Sequence, residues 1–313
     1  MRGDAHATPV WPGYFADPFA LRVGDAWFAY GTDGPGDPVY RETGRRFRVL
    51  RSTDLVRWQP LGGALVPPPG TEDLAFWAPA VAERGGRYFL YYSAGGPEGE
   101  GHALRVAVAE RPEGPFEVRG GPLVPRAPFS IDPDPFRDPR DGRWYLYFCV
   151  DFFDDPAGTG IAVAPLADDM LSLAGDPVTA LRGGEDWQVY AYERRWYDRV
   201  WPRWHTVEGP CAVFHDGRVY LLYSGGLWKR ESYGVGFAVA DHPLGPFVEP
   251  HHGPVVLSGQ GSGLVGPGHN SVVTGPDGGE HVVYHAWDPQ LTARRMHVAP
   301  LVWTADGPRC PVG

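Results

Sequence analysis

Carboxylate side chains recur along this chain at similar places, each just ahead of an apolar segment. Asp17, Asp132 and Glu208 open three such segments, Trp77 opens another and His269 opens the last, at intervals of 55 to 76 residues. Each opening is followed by an aromatic or β-branched run, at 27–31, 88–93, 144–148, 219–224 and 281–285. A repeat of this length indicates an array of like modules. In a radial array equivalent positions meet at one axis, so the three carboxylates would share a pocket and could transfer protons there.

Turn residues separate the apolar segments throughout. The chain has 43 glycines and 34 prolines in 313 residues, and Asp-Gly pairs at 141–142 and 216–217 stand between apolar runs, as in β-hairpins. The second module divides into four strand-like segments, 77–84, 87–96, 103–110 and 114–120. Four strands in each of five modules predict an all-β fold, a five-bladed β-propeller with four antiparallel strands per blade. No linker interrupts the pattern, so we expect residues 1–313 to form one domain.

The net charge limits the classes of binding partner, and the cysteines bear on the cellular compartment. The net charge is −10 and no Lys/Arg stripe is present, which argues against nucleic acid and anionic membranes as partners. Cys149, Cys211 and Cys310 lack metal-ligand spacing and are expected to be buried free thiols. Unpaired cysteines and an N-terminus without the apolar segment of a secretion signal predict a cytoplasmic location. We also expect a monomer.

The ordered openings resemble those of glycoside hydrolase family 43, a group of five-bladed propeller glycosidases. The matching residues are Asp17-Pro18, Trp77-Ala78-Pro79, Ile131-Asp132-Pro133, Glu208-Gly209-Pro210 and Gly268-His269, and the resemblance spans nearly the whole chain. The segment 293–303 is similar to the final blade of the family, in which a Gly-Arg pair occurs. Here Ala293 replaces the glycine, which leaves Arg294 as the matching residue and Arg295 as a competitor.

The resemblance implies an inverting glycosidase that acts on oligosaccharides. Inverting hydrolysis needs a general acid for the leaving oxygen and a general base for water, about 6.5–9.5 Å apart. Carried over from the family, Asp17 would be the base and Glu208 the acid. Asp132 would raise the pKa of the acid by its own charge.

Two neighbours compete with Asp132. Asp134 and Asp138 also precede prolines, and Arg137-Asp138-Pro139 is similar to a motif of the fructan and sucrose hydrolases. Asp132 is preferred because it lies 12 residues before Trp144, as Glu208 lies 12 residues before Tyr220.

Aromatic residues near the openings are candidates for sugar contacts. An insert at 185–205, rich in tryptophan and tyrosine, comes just ahead of Glu208. We expect it to wall the pocket and favour exo-action, although its rings could also pack on one another. The predicted substrate-binding residues are Phe76, Trp77, Trp187, His269 and Arg294. No cofactor is required, but in some family members the histidine equivalent to His269 holds a hydrated calcium ion, so a calcium ion in the central channel stays open.

The leading function is release of a terminal pentose by an exo-acting α-L-arabinofuranosidase. Within the family, β-xylosidase, endo-arabinanase and galactosidase activities are alternatives. A non-catalytic sugar-binding propeller is expected to lose one of the three acids, and all are present. A protein-interaction propeller of the WD type repeats every 40–45 residues, a shorter period than this one.

Overall fold

Strands dominate the part of the chain that the computed structural model describes, residues 8–34 and 38–311. Blade 1 comprises β1 (Ala16–Val23), β2 (Ala26–Thr32), β3 (Arg46–Ser52) and β4 (Gln59–Val66), with helix α1 (Val39–Thr43) between β2 and β3. Blade 2 comprises β5 (Ala75–Arg84), β6 (Arg87–Gly95), β7 (Ala103–Ala109) and β8 (Phe116–Arg119). Blade 3 comprises β9 (Ser130–Arg137), β10 (Trp144–Phe152), β11 (Gly158–Pro165) and β12 (Val178–Leu181).

A 3₁₀ turn (Asp186–Gln188) and strand β13 (Val189–Trp196) then lead into the second half of the ring. Blade 4 comprises β14 (Arg199–His215), β15 (Arg218–Gly225), β16 (Gly234–Ala240) and β17 (Leu257–Ser258). Blade 5 comprises β18 (Val265–Thr274), β19 (Glu280–Trp287) and β20 (Arg294–Pro300), followed by the hairpin of β21 (Val302–Thr304) and β22 (Gly307–Arg309). Among the described residues, no helix has the length and apolarity that crossing a bilayer requires.

The blades form a five-bladed β-propeller, as the repeat predicts. Consecutive strands within each blade pair antiparallel, and each predicted aromatic run is the second strand of its blade. The fifth blade has three strands, β18–β20, instead of the expected four. The segment just before β1 lies along β20 instead: the amide of Val10 donates to the carbonyl of Met296, and that of Phe15 to the carbonyl of Arg294. The first and last parts of the chain therefore close the ring.

Apolar side chains fill the space between neighbouring blades. The described residues form five buried clusters, each shared by two adjacent blades, including the pair formed by the fifth and the first. Burial of this surface is what drives a sheet to cover both of its faces. With the faces occupied by neighbouring blades, the first strands are left to line the central axis.

The first strand of every blade carries an irregularity at the same place. The register of β1, β5, β9, β14 and β18 shifts there. Positive φ angles occur at Asp17 (49°), Ala78 (48°), Asp132 (55°), Gly209 (54°) and His269 (46°). A bulge of this kind re-aims a side chain, and positive φ in residues other than glycine costs about 1–3 kcal/mol and is concentrated at functional sites. Five equivalent bulges therefore surround one end of the axis.

Candidate active site

One pocket at the bulged ends of the first strands contains the three predicted carboxyl groups. It has an empty volume of about 510 Å³, and is lined by Asp17, Trp77, Ile131, Asp132, Glu208, Trp228, His269 and Arg294. Each of the five blades contributes at least one of these side chains. The radial convergence expected from the repeat is therefore what the structure contains.

Asp17 is held by a buried set of partners. Arg294 Nη1 lies 2.9 Å from its Oδ1, and Thr32 Oγ1 donates to its Oδ2 at 2.6 Å. The amide of Asp17 donates to Nδ1 of His285, which fixes the bulged backbone. Burial alone would raise the pKa of Asp17, but the positive charge of Arg294, together with the contributions of His269 and His285, outweighs it and holds that pKa well below its usual range. This carboxylate stays ionised.

The pKa values of Glu208 and Asp132 are shifted upward, in the opposite direction to that of Asp17. Burial, together with the charge of Asp17, raises the pKa of Glu208 to about 7. Burial and the charges of Glu208 and Asp17 raise the pKa of Asp132 well above its usual range. The amide of Gly209 donates to Asp132 Oδ2 at 3.1 Å, so Asp132 also fixes the backbone beside Glu208. The pocket thus combines one ionised carboxylate with two carboxyl groups whose pKa values are raised.

The aspartates that compete with Asp132 lie elsewhere. Asp134 is buried and accepts a hydrogen bond from the amide of Ala212 at 2.8 Å, but it does not line the pocket. Asp138 pairs with Arg140, whose Nη2 lies 2.7 Å from its Oδ2, at the far end of β9. Of the three, only Asp132 faces the other pocket carboxyl groups.

The two candidate arginines lie in different surroundings. Arg294 lines the pocket, where Nη2 also donates to Tyr14 Oη at 2.8 Å. Arg295 bonds instead to the carbonyl of Pro12 and to Asp288. His269 also lines the pocket, with Nδ1 3.4 Å from Asp17 Oδ1.

Two tryptophans form the apolar walls. Trp77, which was predicted, lines the pocket and stacks on His102 with ring centroids 3.7 Å apart. Trp228, which sequence analysis missed, stacks on Trp287 and lies under the guanidinium of Arg294, 4.8 Å from ring centroid to Cζ. Its signal in the sequence is weak: an aromatic residue in the loop after the second strand of the blade that bears Glu208.

Two predicted sugar contacts are corrected. Phe76 is 2% exposed and packs against Phe47 and Tyr92 in the core between blades 1 and 2, so its ring is out of reach of a ligand. Trp187 does not line the pocket. Its indole covers Gly225 and stacks on Tyr223, so it packs against blade 4. In both cases aromatic character was visible in the sequence but the direction of the side chain was not.

The aromatic insert forms a hairpin of β13 with the extended start of β14, and its rings pack on one another. Trp204 is fully buried and Trp201 nearly so, and their rings pack edge to face at 5.4 Å, which holds the hairpin together. Trp196 lies near Trp77, because a Cβ added at Gly99 would be 3.6 Å from both rings, but it does not line the pocket. The insert therefore packs behind Trp77.

The family model for glycosyl hydrolases family 43 matches residues 6–308. The chain belongs to glycoside hydrolase family 43. Its members are inverting glycosidases and generally need no cofactor.

Curated relatives of this family 43 glycosidase include several activities. A β-D-galactofuranosidase of Aspergillus niger is 33% identical over 307 residues, which cover 93% of this chain and 79% of the relative. An extracellular exo-α-(1→5)-L-arabinofuranosidase of Streptomyces chartreusis is 27% identical, over 91% of this chain and 85% of the relative. Among solved structures, a thermostable family-43 glycoside hydrolase superposes with a TM-score of 0.78 at 30% identity, covering 95% of this chain and 92% of that one.

The described residues of this family 43 glycosidase contain no ready-made cluster of side chains for a calcium ion. Calcium prefers six to eight oxygen ligands, whereas no cluster of three or more acidic, histidine or cysteine side chains is arranged for a metal ion in residues 8–34 and 38–311. His269 instead faces Asp17 and Asp132.

The predicted cytoplasmic location is contradicted by the relatives. Two Streptomyces arabinofuranosidases and an arabinanase of Thermotoga petrophila are named as extracellular enzymes, which points to secretion. The argument from cysteines failed because all three thiols are free and buried. Burial raises the pKa of Cys310 to about 12 and raises those of Cys149 and Cys211 well above the usual value. Such inert thiols carry no information about the redox state of the compartment.

Proposed function

We propose that this family 43 glycosidase is an exo-acting α-L-arabinofuranosidase, in which Asp17 is the general base and Glu208 the general acid. The observation that carries the proposal is the difference in charge state around one pocket. Asp17 is ionised beside Arg294, while Glu208 has a pKa of about 7. Inverting hydrolysis needs one carboxylate of each kind.

The roles follow from these charge states. Glu208 donates its proton to the leaving oxygen of the glycosidic bond, and Asp17 accepts a proton from the water that attacks the anomeric carbon. Asp132 supports the acid by holding the amide of Gly209. Burial is the first cause of the raised pKa of Glu208, and the charge of Asp17 adds to it.

The shape of the pocket favours a single terminal sugar. Trp77 and Trp228 supply apolar faces on which a sugar ring can stack, and polar groups surround the space between them. The hairpin of β13 and β14 places Trp196 near Trp77, behind this side of the pocket. A pocket closed on this side binds the end of a chain better than its middle.

A five-membered sugar ring is common to the substrates named for several relatives. The Streptomyces chartreusis enzyme is named for arabinofuranosides and the Aspergillus niger enzyme for galactofuranosides. The identity to the galactofuranosidase makes β-D-galactofuranoside hydrolysis the second candidate. A xylosidase/arabinosidase of Humicola insolens, 30% identical over 200 residues, keeps β-xyloside hydrolysis as a third.

The test is hydrolysis of nitrophenyl glycosides by the purified protein. We expect kcat/KM for the α-L-arabinofuranoside to exceed that for the β-D-galactofuranoside and the β-D-xylopyranoside by about tenfold or more, since the extra exocyclic carbon of one and the six-membered ring of the other fill the pocket differently. A preference for either of the other two would replace the proposed substrate. Absence of hydrolysis across a wide panel, with sugar binding retained, would favour a non-catalytic propeller.

A further inference from the structure

A buried tyrosine contacts the proposed general acid. Tyr233, directly before β16, is 1% exposed, and its hydroxyl donates to Oε1 of Glu208 at 2.8 Å. Oε2 of Glu208 receives no hydrogen bond from the residues that the structure describes, and Glu208 lines the pocket. The two carboxyl oxygens are therefore in different environments.

The position of the tyrosine ring is tightly set. A Cβ at Gly268 would lie 2.3 Å from Cε1 of Tyr233, so only glycine leaves room for the ring there. The ring also lies nearly parallel to that of His285, with an interplanar angle of 7° and centroids 6.4 Å apart. His285 is the residue that accepts the amide hydrogen of Asp17. One packed layer thus contacts both the proposed acid and the proposed base.

A serine packs beside the tyrosine ring. Ser224 Oγ accepts the amide hydrogen of His269 at 2.7 Å and, like the ring of Tyr233, lies against Gly268. Among the described residues, Oε1 of Glu208 is the acceptor for the hydroxyl hydrogen of Tyr233.

We propose that Tyr233 is a positioning residue for Glu208: it occupies Oε1, so that the catalytic proton is carried by Oε2, which faces the substrate. This inference rests on the proposed role of Glu208 as the acid. A hydrogen bond donated to a carboxylate favours its ionised form, so Tyr233 lowers the pKa of Glu208 against the raising effect of burial. The acid is thereby kept strong enough to protonate a poor leaving group.

Other charged and titratable groups around Glu208 also influence its pKa. They belong to several elements packed around it: Asp17, Asp132, Tyr190, Arg194, His269 and Arg294. None of these is altered when the hydroxyl of Tyr233 is removed, so a change in pH dependence in that variant reports the lost hydrogen bond.

The experiment compares Tyr233→Phe with a matched control, Tyr223→Phe. Tyr223 is equally buried and also donates to a carboxylate, Glu249, but lies outside the pocket. For Tyr233→Phe we expect the basic limb of kcat/KM to move up by about one pH unit, because the pKa of Glu208 rises. We also expect a loss of about tenfold or more on arabino-oligosaccharides, and little loss on an aryl arabinofuranoside whose phenolate leaves without protonation. Tyr223→Phe should match the wild type in the position of the basic limb and in its activity on both kinds of substrate.

The outcomes separate this inference from the proposed function. An unmoved basic limb in Tyr233→Phe, with Glu208→Gln inactive on oligosaccharides, overturns the role of Tyr233 alone. Full activity of Glu208→Gln on oligosaccharides overturns the proposed acid itself. If Tyr233→Phe does not fold, Gly268→Ala decides, since its Cβ would lie 2.3 Å from Cε1 of Tyr233 and must displace that ring from Glu208. The basic limb should then move in the same direction, and an unmoved limb in the folded Gly268→Ala protein overturns the inference.

Discussion

The guanidinium of Arg294 lies 2.9 Å from Oδ1 of Asp17, an ion pair that joins the last blade to the first across 277 positions of sequence. It is the largest of the contributions that lower the pKa of Asp17 against the raising effect of burial, and His269 and His285 add to it. The same contact closes the ring next to the pocket. Ring closure and the ionisation of the proposed base are therefore coupled.

Replacing Arg294 should shift the acidic limb of the pH profile of kcat/KM. In Arg294→Ala the pKa of Asp17 rises, so the base becomes ionised only at higher pH, and the acidic limb of kcat/KM should move up by about one unit or more. Arg294→Lys keeps a positive charge and should move it less. Arg295→Ala, which alters a neighbour outside the pocket, is the control and should leave the limb in place. Equal shifts for the Arg294 and Arg295 variants would contradict this account.

Replacing the pocket carboxyl groups should abolish turnover without unfolding the protein. Asp17→Asn and Glu208→Gln should each lower kcat by about 10²–10⁴-fold or more, since each removes a proton-transfer group. Asp132→Asn should also be impaired. Asp134→Asn is the matched control, because an amide oxygen still accepts the hydrogen bond from Ala212. Turnover by purified proteins with unchanged circular dichroism measures this, and loss of activity in Asp134→Asn comparable to Asp132→Asn would remove the reason for preferring Asp132.

The enzyme should release single sugars from chain ends. With the hairpin of β13 and β14 beside Trp77, the pocket grips one terminal residue, so arabino-oligosaccharides should shorten one unit at a time. Chromatography of early products should show monosaccharide from the outset, and the viscosity of polymeric arabinan should fall slowly relative to sugar released. Early di- and trisaccharides from the polymer would instead indicate an open groove.

Ionisation of Glu208 should destabilise the fold. Its pKa in the folded protein, about 7, lies above the ordinary value, so its contribution to stability is present at low pH and is lost as pH rises through about 7. Glu208→Gln cannot ionise, so its melting temperature should exceed that of the wild type by at least about 2 °C at pH 8.5 and approach it at pH 5. A difference that is independent of pH would show that the folded protein does not perturb this carboxyl group.

Location along the repeat was sufficient to find the three carboxyl groups, Trp77 and His269 as pocket residues, and the family resemblance added Arg294. Strand and turn signals are local, and equivalent positions in successive blades must converge once the ring forms. The position of each functional residue relative to the bulge of its strand was not visible in the sequence. Ala78 and Gly209 occupy the bulge positions equivalent to Asp17, so Trp77 and Glu208 each lie one residue earlier. A shift of one residue in a strand changes the face to which a side chain points, and bulge positions are not encoded in the apolar pattern.

The sequence by itself determined the all-β repeat and the family resemblance, because both depend on residue types at fixed spacing. Only the tertiary structure decided that Phe76 and Trp187 pack inward while Trp228 faces the pocket, since all three are aromatic residues in or beside strands. It also decided the charge states. The partners of Asp17 and Glu208, namely Arg294 and Tyr233, come from other parts of the chain, and a pKa depends on burial and neighbouring charges that exist only after the blades have closed into a ring.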